Sequence, residues 1–165
     1  MGMKRLGMFF LILAACTEQE VATSEFTGNE TVYALQAGST YPISGTATIK
    51  ERTDGSSQII VDLSGTEGVV EHPVHLHLGP IGTPDAEVAA WLSPVAGNSG
   101  KSETILVNLA DESEISYQQL VLLNACIKVH LAASGPDRDI ILAGGNIGSA
   151  VTAGTNARSV MGICQ

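Results

Sequence analysis

Three of the chain's four histidines fall within six residues, His72-Pro-Val-His75-Leu-His77. On an extended strand, side chains two positions apart share a face. His75 and His77 therefore project together, with Cα atoms roughly 6.5–7 Å apart. Two imidazoles at that separation can converge on one metal ion, and imidazole suits copper, zinc, iron or nickel. Val74, Leu76 and Leu78 then point the other way, towards a core. The fourth histidine, His130, ends the run Cys126-Ile-Lys-Val-His130. If that run lies near the first, three imidazoles form a site. The same H-x-H pattern also suits histidines that only hydrogen-bond on a solvated strand face. The sequence contains no nucleophile elbow, phosphate-binding loop or zinc-protease signature.

The elements that must position these residues read as strands. Ile43, Gly45, Ala47 and Ile49 alternate with Ser44, Thr46, Thr48 and Lys50, a period of two with the polar residues outward. Thr53-Asp-Gly-Ser56 is a hairpin turn signal. Further short runs rich in β-formers cover 31–36, 58–63, 69–78, 87–92, 104–109, 125–130, 140–143 and 158–164, punctuated by Gly, Pro, Asp and Ser. The spacing predicts an all-β fold, an antiparallel Greek-key sandwich or barrel of about eight strands. Ser113–Leu123 suits either a short helix or a strand. Trp91 reads as a core residue, and Asp137-Arg138-Asp139 as a solvated turn.

Composition narrows the partners. The chain has 165 residues, 44% hydrophobic, with a formal charge of −9 and only 4% aromatic residues. An apolar fraction of that size supports one packed domain. The acidic balance argues against nucleic acid, which needs a basic patch. At the N-terminus, Lys4 and Arg5 precede an apolar run, Leu6–Ala15, too short to span a bilayer. This is the pattern of a signal peptide.

The run ends Leu13-Ala-Ala-Cys16, which resembles the lipobox of bacterial lipoproteins. That resemblance implies a signal peptide at 1–15, lipidation of Cys16, and anchorage to a membrane face outside the cytosol. Residues 16–30 then form an acidic tether, and 31–165 the domain. Thr17 after the lipidated cysteine, where an Asp would retain it, leans towards the outer membrane of a bacterial envelope. With Cys16 consumed, Cys126 and Cys164 remain, either as a disulfide or as two buried thiols.

Two further resemblances involve the histidines. His75-Leu-His77-Leu-Gly-Pro-Ile-Gly, continuing to Val88-Ala-Ala-Trp91-Leu92, resembles the CHRD domain, named from chordin. So do Ile127-Lys-Val-His130, Asp139-Ile-Ile and Gly145-Asn-Ile-Gly148. More distantly, His72, His75 and His77 are similar to the H-x-x-H-x-H copper strand of the Cu,Zn superoxide dismutases, and His130 to their later copper ligand. Arg158-Ser-Val-Met161-Gly-Ile163 is similar to the segment holding their active-site arginine.

The dismutase resemblance implies copper ligation by His75, His77 and His130. It makes His72 a brace that donates a hydrogen bond to the ligand strand, and Arg158 an anion-steering residue. The enzymes' long loop, with its bridging histidine and zinc ligands, has no counterpart in the eight residues between His77 and Ala86, so zinc is not expected. Three functions follow as expectations. The chain is a lipid-anchored, non-catalytic copper-binding protein, a copper-dependent superoxide dismutase lacking the zinc site, or a metal-free structural module. The first fits best.

Overall fold

The structure, a computed structural model, describes Gly2 and residues 24–153. The expected signal peptide at 1–15, Cys16, Arg158 and Cys164 lie outside the described residues. Eight antiparallel strands form a closed barrel: β1 (Phe26–Ala37), β2 (Ser44–Arg52), β3 (Ser57–Ser64), β4 (Glu71–Leu78), β5 (Val88–Ala96), β6 (Lys101–Leu106), β7 (Ala125–His130) and β8 (Ile141–Ile147). Their spatial order is β1-β2-β3-β6-β5-β4-β7-β8. The β3–β4 and β6–β7 connections skip strands, which is Greek-key topology.

Pairing is uneven around the barrel. β2 and β3 pair over eight residue pairs, from Ser44↔Ser64 to Glu51↔Ser57. In contrast, β5 meets β6 at Ala96↔Lys101, and β1 meets β8 at Gln36↔Gly144 and Ala37↔Ala143. These two narrow seams divide the barrel into halves, β1-β2-β3-β6 and β5-β4-β7-β8. Where β1 passes β8, a Cβ on Gly145 would stand 2.1 Å from the Ala34 carbonyl oxygen, so the seam closes only with glycine there.

The alternation expected from the sequence sets the core. Leu35, Ile49, Ile59, Val61, Val74, Leu76, Ile127, Val129, Leu142 and Ile147 are fully buried inside. Burying each such side chain contributes roughly 1.5–3 kcal/mol. A short helix, α1 (Tyr117–Leu120), resolves the open choice at 113–123 and buries Tyr117 and Leu120. Its start is fixed by a capping box between Ser116 and Gln119. A second one-turn helix, α2 (Ala150–Ala153), follows β8.

The expectations for the tether, Val69 and Trp91 need correction. The tether does not extend to Glu30, because β1 begins at Phe26. Thr27 and Asn29 each donate to Glu51 on β2 at 2.7 Å, and Gln118 donates to the same carboxylate at 3.0 Å. Polar residues that read as solvated linker are thus bound into the sheet. Val69 is not in a strand: it is 95% exposed in the loop before β4. Trp91 is not core. It lies opposite His75 in the β4–β5 ladder, on the outer face, and is 66% exposed.

Candidate metal centre

The site lies on the outer face of the half formed by β5, β4, β7 and β8. β4 buries Val74 and Leu76 inward and turns His75 and His77 outward, as the period of two requires. Leu78, expected inward, lies exposed at the strand's end. Two rows of facing residues cross the outer face. One runs Trp91–His75–Lys128–Gly144, and the other His77–Cys126–Asn146. His130 lies two positions beyond Lys128 on β7 and so shares that face.

Strand irregularities adjust the aim. Against β5, the β4 register shifts around Pro73 and again between Leu76 and His77. Pro73 has no N–H to give a ladder, so a shift at its position costs little pairing. On β7 the register against β8 shifts between Val129 and His130. Both His77 and His130 therefore sit at bulges, which redirect side chains.

The three rings converge. Ring centroids are separated by 4.7 Å (His75–His130), 5.6 Å (His75–His77) and 6.0 Å (His77–His130). One ring nitrogen from each lies within 4.8 Å of the others. A single point then exists within about 2.8 Å of all three nitrogens, against the ~2.0–2.1 Å of a zinc–imidazole bond. Ring movement of less than about 1 Å would close that difference. Among the described residues, no carboxylate or thiolate joins the group.

Two of the rings are held by backbone carbonyls. His77 Nδ1 lies 2.8 Å from the Ala86 oxygen, in the loop between β4 and β5. His130 Nδ1 lies 2.8 Å from the Arg138 oxygen, in the 3-10 turn Pro136–Asp139. A carbonyl only accepts, so each Nδ1 carries its proton and donates, which leaves each Nε2 with a free lone pair. Both Nε2 atoms are buried and lack a hydrogen-bond partner. An orphaned buried polar atom costs about 1–3 kcal/mol. A bound ion would satisfy both, in the arrangement in which metal-binding histidines commonly donate their other nitrogen to a carbonyl.

Electrostatics keep two of the rings, His75 and His77, ready to ligate. Burial, then the neighbouring His130 and His77, lowers the pKa of His75 from 6.5 to about 4. His77 is also lowered, chiefly by burial and further by the charges of Lys128 and His130, although its bond to Ala86 opposes this. These two imidazoles are neutral near pH 7, the state that binds a metal.

The structure brings together His75, His77 and His130, as the sequence suggested. His72 is not in the cluster. It points to the opposite face, is buried, and its Nδ1 lies 3.2 Å from the carbonyl of Leu131, the residue after His130. It thus ties β4 to the residue that follows β7. Cys126 is fully buried across from His77, and burial raises its thiol pKa, which keeps it protonated. The carbonyls of Ala86 and Arg138 had no sequence signal, because any residue type supplies a carbonyl. No protein-family model matches the chain, and no curated protein matches it. The chain is an eight-stranded β-barrel bearing a three-histidine cluster that can hold a metal ion.

Proposed function

We propose that this protein is a lipid-anchored component of the bacterial cell envelope that holds a copper ion through His75, His77 and His130 without turning over a substrate. The observation that carries the metal reading is the pair of buried, unpartnered Nε2 atoms on rings already fixed through Nδ1. Copper is favoured because divalent copper binds nitrogen donors most tightly in the first-row series. The envelope location rests on the Leu13-Ala-Ala-Cys16 resemblance, with the outer membrane favoured and Cys16 as the lipid site. The similarity of the histidine segments to CHRD domains and to dismutase copper strands supports the same assignment.

The test is metal analysis of the full-length protein, purified in detergent and loaded with copper or zinc in parallel. We expect about one copper per chain, displacing zinc. The His75→Ala/His77→Ala double variant should hold none. Trp91, the sole tryptophan, faces His75, so its fluorescence should be quenched as copper binds. Sub-stoichiometric copper, unchanged in the double variant, overturns the assignment and leaves a metal-free module. Superoxide consumption by the loaded protein above that of free copper would replace a holding role with the dismutase reading.

A further inference from the structure

The loop that fixes His77 is itself clamped from across the sheet. After β4, residues 79–86 run back over the outer face, where Cys126 points outward yet is fully buried. The clamp is Asn146 on β8. Its Oδ1 accepts from the Ile81 backbone N–H at 2.7 Å, and its Nδ2 donates to the Ala150 carbonyl at 3.0 Å. The two bonds define the amide's orientation, since the Ile81 N–H can only donate and the Ala150 oxygen can only accept. Beside it, Gly144 leaves room for the Ile81 side chain: a Cβ there would meet Ile81 Cδ1 at 2.8 Å. The loop then turns through Asp85, whose φ is +47°, and presents the Ala86 carbonyl to His77.

We infer that Asn146 is a positioning residue for the metal site. By seating Ile81, it fixes the strap that carries the Ala86 carbonyl, and that carbonyl holds His77 in the Nδ1–H form with Nε2 free. Asn146 lies in the same outward row as His77, with Cys126 between them, and touches no ligand itself. Its effect on a metal runs wholly through the loop. The inference rests on the proposed metal site for its consequence, but not for its structural content.

The experiment compares Asn146→Ala with Asn146→Asp in the full-length protein. Asp keeps an oxygen to accept from Ile81 but sets an acceptor, in place of the donor, against the Ala150 carbonyl. In metal-free protein, nitrogen NMR of the imidazoles reports the His77 tautomer, and copper titration reports affinity. We expect Asn146→Ala to populate the Nε2–H form of His77 and to weaken copper binding about 10-fold, the scale for loss of a ligand's supporting partner. Asn146→Asp should stay within about 2-fold of the parent, since the supporting bond survives. If Asn146→Ala does not fold, Ile81→Pro removes the same N–H from the other side and should give the same tautomer mixture. An unchanged His77 tautomer and affinity in the variant, with only a lower Tm, overturns the inference. If the parent takes up no metal, the proposed function fails, while the tautomer comparison still decides the role of Asn146.

Discussion

The two loops that pin the imidazoles use the same bond but differ in construction. The strap at 79–86 is tied to β8 through Asn146, packs Ile81 against Gly144, and leaves His77 only 7% exposed. The turn at Pro136–Asp139 buries none of its side chains, and its ion pair, Arg138–Asp139, is solvent-exposed on both partners. Such a surface pair contributes about 0–1 kcal/mol. Both loops deliver a carbonyl 2.8 Å from a histidine Nδ1. One ligand is thus set from a buried, cross-linked wall and the other from an exposed turn.

The largest effects should come from the ligands. His77→Ala and His130→Ala should each weaken copper binding beyond the 10–100-fold typical of losing an outer partner. Titration followed by Trp91 quenching checks this, and a variant that binds like the parent would remove its histidine from the site.

Next is the wall behind the ligands. Leu76→Ala and Ile127→Ala remove fully buried side chains beneath the histidine face and should each cost about 2–5 kcal/mol in urea unfolding. Trp91→Ala, on the opposite side of the same sheet, should stay within about 0.5 kcal/mol. A large loss at Trp91 would mean that its exposed ring is packed in solution.

Acidification should then lower the stability of the metal-free protein. The folded protein holds His75 at about 4, below the ordinary 6.5, so between those values the unfolded chain binds a proton that the native state refuses. Stability of the metal-free protein is therefore full above about pH 6.5 and falls as the pH drops towards 4. His77 acts in the same direction. The lowered carboxylates Glu51, Asp54 and Asp111 have ordinary values of 4.5, 3.8 and 3.8, so their contribution is lost only at lower pH. Urea midpoints at pH 7 and pH 5 check this. The difference should shrink in a His75→Gln/His77→Gln variant, and an unchanged difference would place its origin elsewhere.

The smallest effect tests the exposed turn. Because Arg138 acts through its backbone carbonyl, Arg138→Ala should alter copper affinity less than about 2-fold, a surface-scale change. A 10-fold loss would show that the guanidinium itself takes part.

Much of this was legible because it follows from local periodicity. The inward Val74 and Leu76 and the outward His75 and His77 come from a period of two on one strand. The boundaries of β7, Ala125–His130, are marked by its β-branched and apolar residues and by its flanks. Errors arose where a residue's partner is remote in sequence. Thr27 and Asn29 read as tether because Glu51 lies on another strand. Trp91 read as core because an aromatic residue among Val88, Ala89, Ala90 and Leu92 does not reveal that the strand's alternation turns it outward beside His75.

By itself, the sequence determined the β class, the alternation that buries the core, and the pairing of His75 with His77 on one face, since each depends only on neighbours along a strand. Tertiary structure decided whether His130 would meet them, which ring nitrogen would be free, and what would hold it there. Those outcomes depend on the β4–β7 pairing, on bulges at His77 and His130, and on two backbone carbonyls brought in by loops. A carbonyl has no residue-specific signature, and strand pairing is a long-range contact, so neither can be read from one segment alone.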